Sequence, residues 1–240
     1  MRNSQDTMAI NSAPAGGKDP GLPGPRGQGS GRQESGDSAR QRLLDAGVHL
    51  FCRYGINATG VDAIVAEAGT AKTTLYKIFG SKEGLIEAVL ECEGRRWRDW
   101  FIGAIDHGHA APRTKLNRIF PVIKIWFADE RFYGCPFINA VGEHDKNDDR
   151  MRTIAIRHKK IVLAHIQKLA AEAGAKDAAG LAHQIGLLID GAIIAAMVTR
   201  DCAVADAAEL AARTLLDNRI RSAKKRAKPP SAGTDRLAAH

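Results

Sequence analysis

The sequence lacks the features that place a protein outside the cytosol or in a membrane. Its four cysteines lie far apart and form no C-x-x-C pair, which favours free thiols in a reducing compartment over a disulfide framework or a zinc site. The N-terminus has no apolar stretch of signal-peptide type, and no uninterrupted apolar run is long enough to span a bilayer. We therefore expect a soluble, cytoplasmic protein with no membrane association.

Motifs for catalysis, cofactors and metals are also missing from the sequence. No G-x-S-x-G occurs, and the glycines from Gly27 to Gly31 fail the dinucleotide pattern because Arg32 stands where its third glycine belongs. His158 and His165 share a helix face, but no carboxylate or cysteine nearby completes a metal site. We predict that the protein is not an enzyme and that it binds neither a metal nor a cofactor.

The net charge of +8 is a local feature and not a property of the whole chain. Six of the 35 basic residues lie between Arg219 and Lys228, and the rest leave 29 basic against 27 acidic side chains. Residues 221–240 are predicted to be a basic flexible tail, which either adds phosphate contacts or is a solvated end. Residues 1–36 hold eight glycines and four prolines and are predicted to be a disordered arm. Charge alone therefore says little about DNA binding.

Between Ser38 and about Ile220 the apolar spacing is helical, and no segment shows convincing period-2 alternation. This pattern predicts an all-α fold. The first helix is expected to end at Tyr54, where Gly55 suits a helix C-terminus. Further helices are predicted over the following ranges: 61–68, 72–79, from Ser81 onward, 112–128 with a kink or break at Pro121, 137–141, 148–173, 177–200 and 204–220.

The first three helices are short, and a four-residue turn separates the second from the third. This arrangement predicts a helix-turn-helix. Ile64, Val65 and Leu75 can bury their apolar faces together, and Gly69 permits the tight turn. The other face of the third helix, between residues 72 and 77, is polar and slim enough for the major groove of DNA.

The stretch from Ala58 to Leu85 resembles the DNA-binding signature of the tetracycline-repressor (TetR) family. The matching elements are Ala-Gly at 68–69, Thr-Leu-Tyr at 74–76, and Phe-x-Ser-Lys-Glu-x-Leu at 79–85. The resemblance covers about 50 residues, from Ala39 to Val89. One departure is that Thr-Ala at 70–71 replaces the usual valine-serine, so a small hydroxyl contact could be missing or moved.

The resemblance implies a role in DNA binding for eight residues. Thr59, a possible N-cap of the second helix, and Gly60 are expected to meet a phosphate. Base edges are expected to be contacted by three side chains: Lys72, Thr73 and Lys77. Phosphates are expected at three further positions: Thr74, Tyr76 and Lys82. The alternative for Lys82 is a solvated lysine at a helix start.

The same resemblance implies that the C-terminal helices form a dimer and an effector cavity. A small-residue surface suited to close helix packing is predicted at Gly186, Gly191, Ala192, Ala195 and Ala196; the alternative is a buried intramolecular helix. Candidate ligand-binding residues, each of which could instead be ordinary core, are Phe101, Trp126, Phe127, Phe137, Asn139 and His165. Cys135 is considered as a redox sensor, although Arg131 is the only basic residue evident beside it in sequence.

These expectations combine into one predicted function. Residues 37–82 form the DNA-binding domain, and residues 83–220 form the effector-binding and dimerisation domain. The homodimer binds palindromic double-stranded operator DNA as a repressor and is released by an unidentified small molecule. The alternatives are a nonspecific DNA-binding protein, or a helical ligand-binding protein or enzyme with a vestigial helix-turn-helix.

Overall fold

The computed structural model describes residues 35–145 and 147–220, with side chains from Ser38 onward. The predicted arm, apart from its last two residues, and the basic tail lie outside these ranges. Within them the chain forms helices and no strand, with one isolated bridge between Ala175 and Ile220. The helices are α1 Ser35–Tyr54, α2 Val61–Glu67, α3 Lys72–Phe79, α4 Lys82–Asp106, α5 Pro112–Asn117, α6 Ile119–Phe127, α7 Pro136–Glu143, α8 Arg150–Glu172, α9 Ala178–Thr199 and α10 Val204–Arg219. The all-α prediction is confirmed.

The helix boundaries in the N-terminal part agree with the prediction except at one cap. Gly55 has a φ of +87°, a left-handed conformation that glycine adopts without steric strain and that ends α1. The hydroxyl oxygen of Ser81 accepts the backbone N–H of Gly84 at 3.0 Å and caps α4 as expected. The predicted Thr59 cap of α2 is wrong, because Gly60 occupies that position and makes no side-chain cap.

The segment from Pro112 to Phe127 divides earlier than the sequence suggests. Helix α5 ends at Asn117, and α6 starts at Ile119, so the break comes before Pro121. Pro121 lies in the first turn of α6, where a backbone N–H has no intrahelical partner and its loss is tolerated. The proline therefore follows the break and does not kink a continuous helix.

The long helix α4 joins the N-terminal helices to the rest of the chain. It packs against α1 and α3, and also against α5, α6 and α8. Leu85 and Val89 are buried near its start, and Phe101 and Ile105 are buried near its end. The predicted domain boundary after residue 82 stays a prediction.

Helix α9 lies between α8 and α10 and contacts both of them extensively. By its length and composition, α9 is long and apolar enough to cross a membrane, and it is the one such helix among the described residues. That is weak evidence, because core helices of soluble proteins pass the same test. Ile185, Ile189 and Ile193 are buried along the side of α9 that faces the rest of the chain, which accounts for its apolar composition.

Candidate DNA-binding surface and internal cavity

Helix α3 has one buried face and one exposed face, as a recognition helix requires. Leu75 is fully buried in the core, whereas Lys72, Thr73 and Lys77 are exposed. Tyr76 has 46% of its surface exposed, which is unusual for a large aromatic residue. The side chains expected to contact DNA thus lie on the solvent side of α3, and Thr74 is half-buried beside them.

Lys72 is held by a carboxylate of the neighbouring helix. Its Nζ lies 2.7 Å from Oδ1 of Asp62 in α2, and this hydrogen bond and charge raise the pKa of the Lys72 ammonium. Both side chains are well exposed. The pair therefore links α2 to α3 on the surface that would meet DNA.

Thr59 and Lys82 both make contacts within the protein. Thr59 is buried, and its hydroxyl donates to the carbonyl oxygen of Gly55 at 2.6 Å. The ammonium of Lys82 donates to the carbonyl oxygen of Ile56 at 2.8 Å. These contacts order the loop between α1 and α2, while Gly60 is exposed and leaves its backbone open to solvent.

An internal cavity of about 380 Å³ lies between α4, α7, α8 and α9. Its size is within the range of pockets that hold small organic molecules. The wall is mainly apolar, with a few polar and charged groups. The lining residues are Glu93, Trp97, Trp126, Cys135, Pro136, Phe137, His158, Lys159, Val162, Leu163, His183, Gly186, Leu187, Ile189, Asp190 and Ile193.

Aromatic rings form one side of this cavity. The rings of Trp97 and Trp126 meet edge to face with centroids 5.3 Å apart. Phe101 stacks behind Trp97 at 4.7 Å, and Phe137 stacks on His158 at 4.0 Å. These contacts fix the ring orientations, because each ring is packed against another.

The polar groups of the cavity differ in charge. Burial lowers the pKa of His158 to about 3, with the Arg98 guanidinium acting in the same direction, so this imidazole is neutral near pH 7. Lys159 forms an ion pair with Asp190 across α8 and α9. Burial raises the pKa of the Glu93 carboxyl, while Arg96 and Arg131 oppose that shift.

The structure brings two of the six proposed ligand-binding residues to the cavity wall, Trp126 and Phe137. The other four lie elsewhere. Phe101 and Phe127 are buried in the core, and Nδ2 of Asn139 donates to the carbonyl oxygen of Tyr133 at 3.1 Å. Nε2 of His165 lies 3.3 Å from Oδ2 of Asp106. The histidine of α8 that lines the cavity is His158, which lies seven residues, or about two helical turns, before His165.

Glu93 and Trp97 were not identified from the sequence as a pair. They are four residues apart and therefore share one face of α4, a spacing that was available as a signal. Knowing that this face lines a cavity requires the packing of α4 against α6 and α8, which the sequence alone does not supply.

Two contacts connect the cavity region to the N-terminal helices. Arg96 of α4 donates to Oδ1 of Asp45 in α1 at 2.9 Å. Glu143, at the end of α7, accepts the backbone N–H of Asn57 at 3.0 Å through its carboxylate, and its carbonyl oxygen accepts Nδ2 of Asn57 at 2.7 Å. Helix α7 also contributes Phe137 to the cavity wall, so one short helix contacts both the cavity and the α1–α2 loop.

The cysteines and potential metal ligands form no evident reactive site. All four cysteines are free. Cys135 is buried, and burial raises the pKa of its thiol, so the reactive thiolate is disfavoured. The described residues contain no group of three or more histidine, cysteine or carboxylate side chains placed to hold a metal ion.

A helix-turn-helix with an exposed polar recognition helix, joined to a helical region with a mainly apolar cavity, is typical of DNA-binding transcriptional regulators. Comparisons with known proteins give the same class. Residues 43–89 match the family model described as bacterial regulatory proteins of the tetR family. The helix-turn-helix of this chain is thus similar to that of the TetR family, and its relatives are transcriptional regulators.

Individual relatives resemble the chain well beyond the helix-turn-helix. A TetR-family transcriptional regulator from Streptomyces coelicolor superposes with a TM-score of 0.71 at 27% identity, covering 77% of this chain and 97% of that one. An HTH-type regulator from Lactococcus lactis is 26% identical over 68% of this chain and 86% of its own length. The HTH-type transcriptional repressor KstR2 of Mycolicibacterium smegmatis is 34% identical over 35% of this chain and 40% of its own length.

Proposed function

We propose that this protein is a repressor that binds a palindromic DNA operator as a homodimer and leaves it when a small molecule occupies the internal cavity. The observation that carries the proposal is the combination, in one chain, of the exposed polar face of α3 and a cavity of about 380 Å³. Repression is inferred from relatives named as repressors.

Base contacts are assigned to Lys72, Thr73 and Lys77, because these side chains are exposed on one face of α3. Lysine can donate to guanine O6 and N7, and the threonine methyl can meet a thymine methyl. Phosphate contacts are assigned to the side chains of Tyr76 and Thr74 and to the exposed backbone at Gly60. Since Thr59 and Lys82 donate to carbonyl oxygens of the chain, their part is to order the loop that presents Gly60.

The dimer surface is assigned to an apolar stripe along α9. Leu187 and Val198 have 72% and 73% of their surfaces exposed, and Ile194 has 39%. With the exposed Gly191 they follow a spacing of four, three and four residues, which keeps all of them on one helix face. The predicted small-residue surface needs one correction: Ala192 and Ala196 are buried within the chain, so they pack inside the protomer.

Two routes are available for coupling the cavity to DNA binding. Helix α4 contributes Glu93 and Trp97 to the cavity and reaches α1 through Arg96. Helix α7 contributes Phe137 and holds Asn57 through Glu143. A ligand that moves either helix changes the position of the helix-turn-helix, and ligand and operator then weaken each other's binding by the same factor.

Selection of DNA from a random pool tests the proposal. The purified protein is incubated with random duplexes, bound DNA is recovered over several rounds, and the enriched sequences are read. We expect an inverted repeat whose half-site centres are about 10 base pairs apart, because two recognition helices of a dimer meet successive major grooves. Enrichment of no sequence would instead support nonspecific DNA binding, and enrichment of a lone half-site would contradict the dimer.

A further inference from the structure

Glu93 is an unpaired carboxylate in the wall of the cavity. Among the described residues no side chain or backbone group makes a hydrogen bond or ion pair with it. The two arginines that act on it electrostatically are each committed to another carboxylate, Arg96 to Asp45 and Arg131 to Asp129. A half-buried carboxylate without a partner favours a ligand that brings a positive charge.

The other charged groups of the cavity do not offer a binding partner to an anion. Lys159 is paired with Asp190. His158 is neutral near pH 7, and its Nδ1 accepts a hydrogen bond from Nη1 of Arg98 at 2.9 Å. An anionic ligand would therefore meet the charge of Glu93, and neither Lys159 nor His158 offers it a free positive charge. The lining thus selects against negative charge.

Two tryptophan rings line the same cavity as the Glu93 carboxylate. Trp97 lies one helical turn after Glu93, and Trp126 packs against Trp97. Cations bind favourably over the faces of tryptophan rings, and more strongly when the site is desolvated. The remaining wall is aliphatic or aromatic and includes Phe137 and Val162, which suits an apolar body attached to the charge.

We infer that the effector is a small, apolar organic cation whose positive charge is bound by Glu93 beside Trp97 and Trp126. This inference rests on the proposed function, since it assigns the chemical class of the molecule that occupies the same cavity. A monovalent ammonium, phosphonium or pyridinium with an aromatic or aliphatic body fits the lining. The charge sets the selectivity, and the apolar body supplies most of the buried area.

The test uses two pairs of probes that keep their shape and change their charge. Tetraphenylphosphonium is compared with tetraphenylborate, and the smaller benzyltrimethylammonium is compared with its neutral carbon analogue neopentylbenzene. Binding to the full-length protein is measured without DNA, by the quenching of tryptophan fluorescence and by the shift in thermal midpoint. We expect at least one of the two cations to bind at least tenfold more tightly than its matched partner.

The variant Glu93→Gln tests the assigned carboxylate. It keeps the shape of the side chain and removes the charge. The affinity for the cation should therefore fall at least tenfold, while the affinity for the neutral analogue should not change. Glu91→Gln is the matched control, because Glu91 is exposed on the same helix and pairs with Arg157. Circular dichroism and the thermal midpoint of each free variant establish that it is folded.

Three outcomes would overturn the inference: neither cation binds, neither cation binds at least tenfold more tightly than its matched partner, or folded Glu93→Gln keeps wild-type affinity for the cation. DNA binding by the free protein is measured in a separate titration. If that titration succeeds while the cations fail, the effector class is wrong and the proposed function stands. If cations bind and DNA does not, the proposed function is wrong and the cation site stands.

Discussion

The backbone N–H of Asn57, in the loop that leads into α2, donates to the carboxylate of Glu143 at the end of α7 with a distance of 3.0 Å. The two residues are 86 positions apart in the chain. Their contact attaches the helix-turn-helix to the short helix that also carries Phe137 of the cavity wall. The proposed coupling between the cavity and DNA binding thus has a route through α7 as well as through α4.

Replacing Glu143 with alanine should loosen the α1–α2 loop. The Asn57 amide loses its acceptor, so we expect faster amide hydrogen exchange at this residue and its neighbours, measured by mass spectrometry of the loop peptide. Affinity for the selected operator should fall severalfold, because the loop must then be ordered on binding. Glu91→Ala is the control for an exposed glutamate. Unchanged exchange in the loop would contradict the assigned role of Glu143.

Replacing Asp62 with asparagine should strengthen binding to DNA. The change removes a carboxylate from the DNA-facing surface and releases Lys72 from its ion pair. We expect an affinity gain of about two- to fivefold at low salt, the range for an exposed pair, and a smaller gain at high salt. Lys72→Ala should weaken binding instead. The control Glu91→Gln makes the same change in net charge outside α2 and α3. An equal gain in DNA affinity for this variant would contradict a specific role of Asp62.

Replacing Thr59 with valine should destabilise the fold more than it weakens DNA contacts. The buried hydroxyl donates to Gly55, and its removal leaves that carbonyl without this donor, at a cost of about 1–2 kcal/mol in the free energy of unfolding. Urea denaturation measures the loss, and Thr153→Val on the exposed start of α8 should change it by less than about 0.5 kcal/mol. A stable Thr59→Val protein with strongly reduced DNA affinity would instead assign the hydroxyl to a phosphate.

Replacing Val198 with glutamate should break the dimer. Val198 lies on the exposed α9 stripe, away from the cavity lining. In a two-fold interface the change is present twice, and burying one valine contributes about 1.5 kcal/mol or more, so dimerisation should weaken by about 100-fold. Sedimentation equilibrium would then give a mass near 25.8 kDa where the wild type gives twice that value. Leu210→Glu, at a similarly exposed leucine on α10, should remain dimeric; a dimeric Val198→Glu protein would contradict the assignment.

His158 should make the stability depend on pH on the acidic side. Its pKa is about 3 in the folded chain and about 6.5 when unfolded, so the unfolded state binds more protons between these values. The stabilisation is complete above about pH 6.5 and is lost as the pH falls toward 3, by up to about 1.4 kcal/mol per pH unit. Urea denaturation at several pH values gives the free energy of unfolding as a function of pH. This free energy should change less with pH in His158→Gln than in His109→Gln, an exposed control. Equal slopes would contradict the pKa shift.

The sequence predicted the helices well because their boundaries depend on local signals. Gly55 ends α1 and Ser81 caps α4 through contacts within a few residues. The cavity depends on contacts between distant segments. Residue type alone therefore selected Trp126, which lines the cavity, but also His165, which does not. The sequence also did not predict the role of Thr59. Its buried hydroxyl donates to the carbonyl oxygen of Gly55, a hydrogen bond that forms only once the loop after α1 has folded.

Sequence-specific DNA binding is tested by a fluorescence anisotropy titration of the full-length protein against the selected duplex, with unlabelled competitor DNA and at several salt concentrations. We expect binding that resists competitor, weakens steeply with salt and saturates at two chains per duplex, and that Tyr76→Ala reduces at least tenfold. Binding that competitor abolishes, or that Tyr76→Ala leaves unchanged, would contradict a sequence-specific regulator that uses the exposed face of α3.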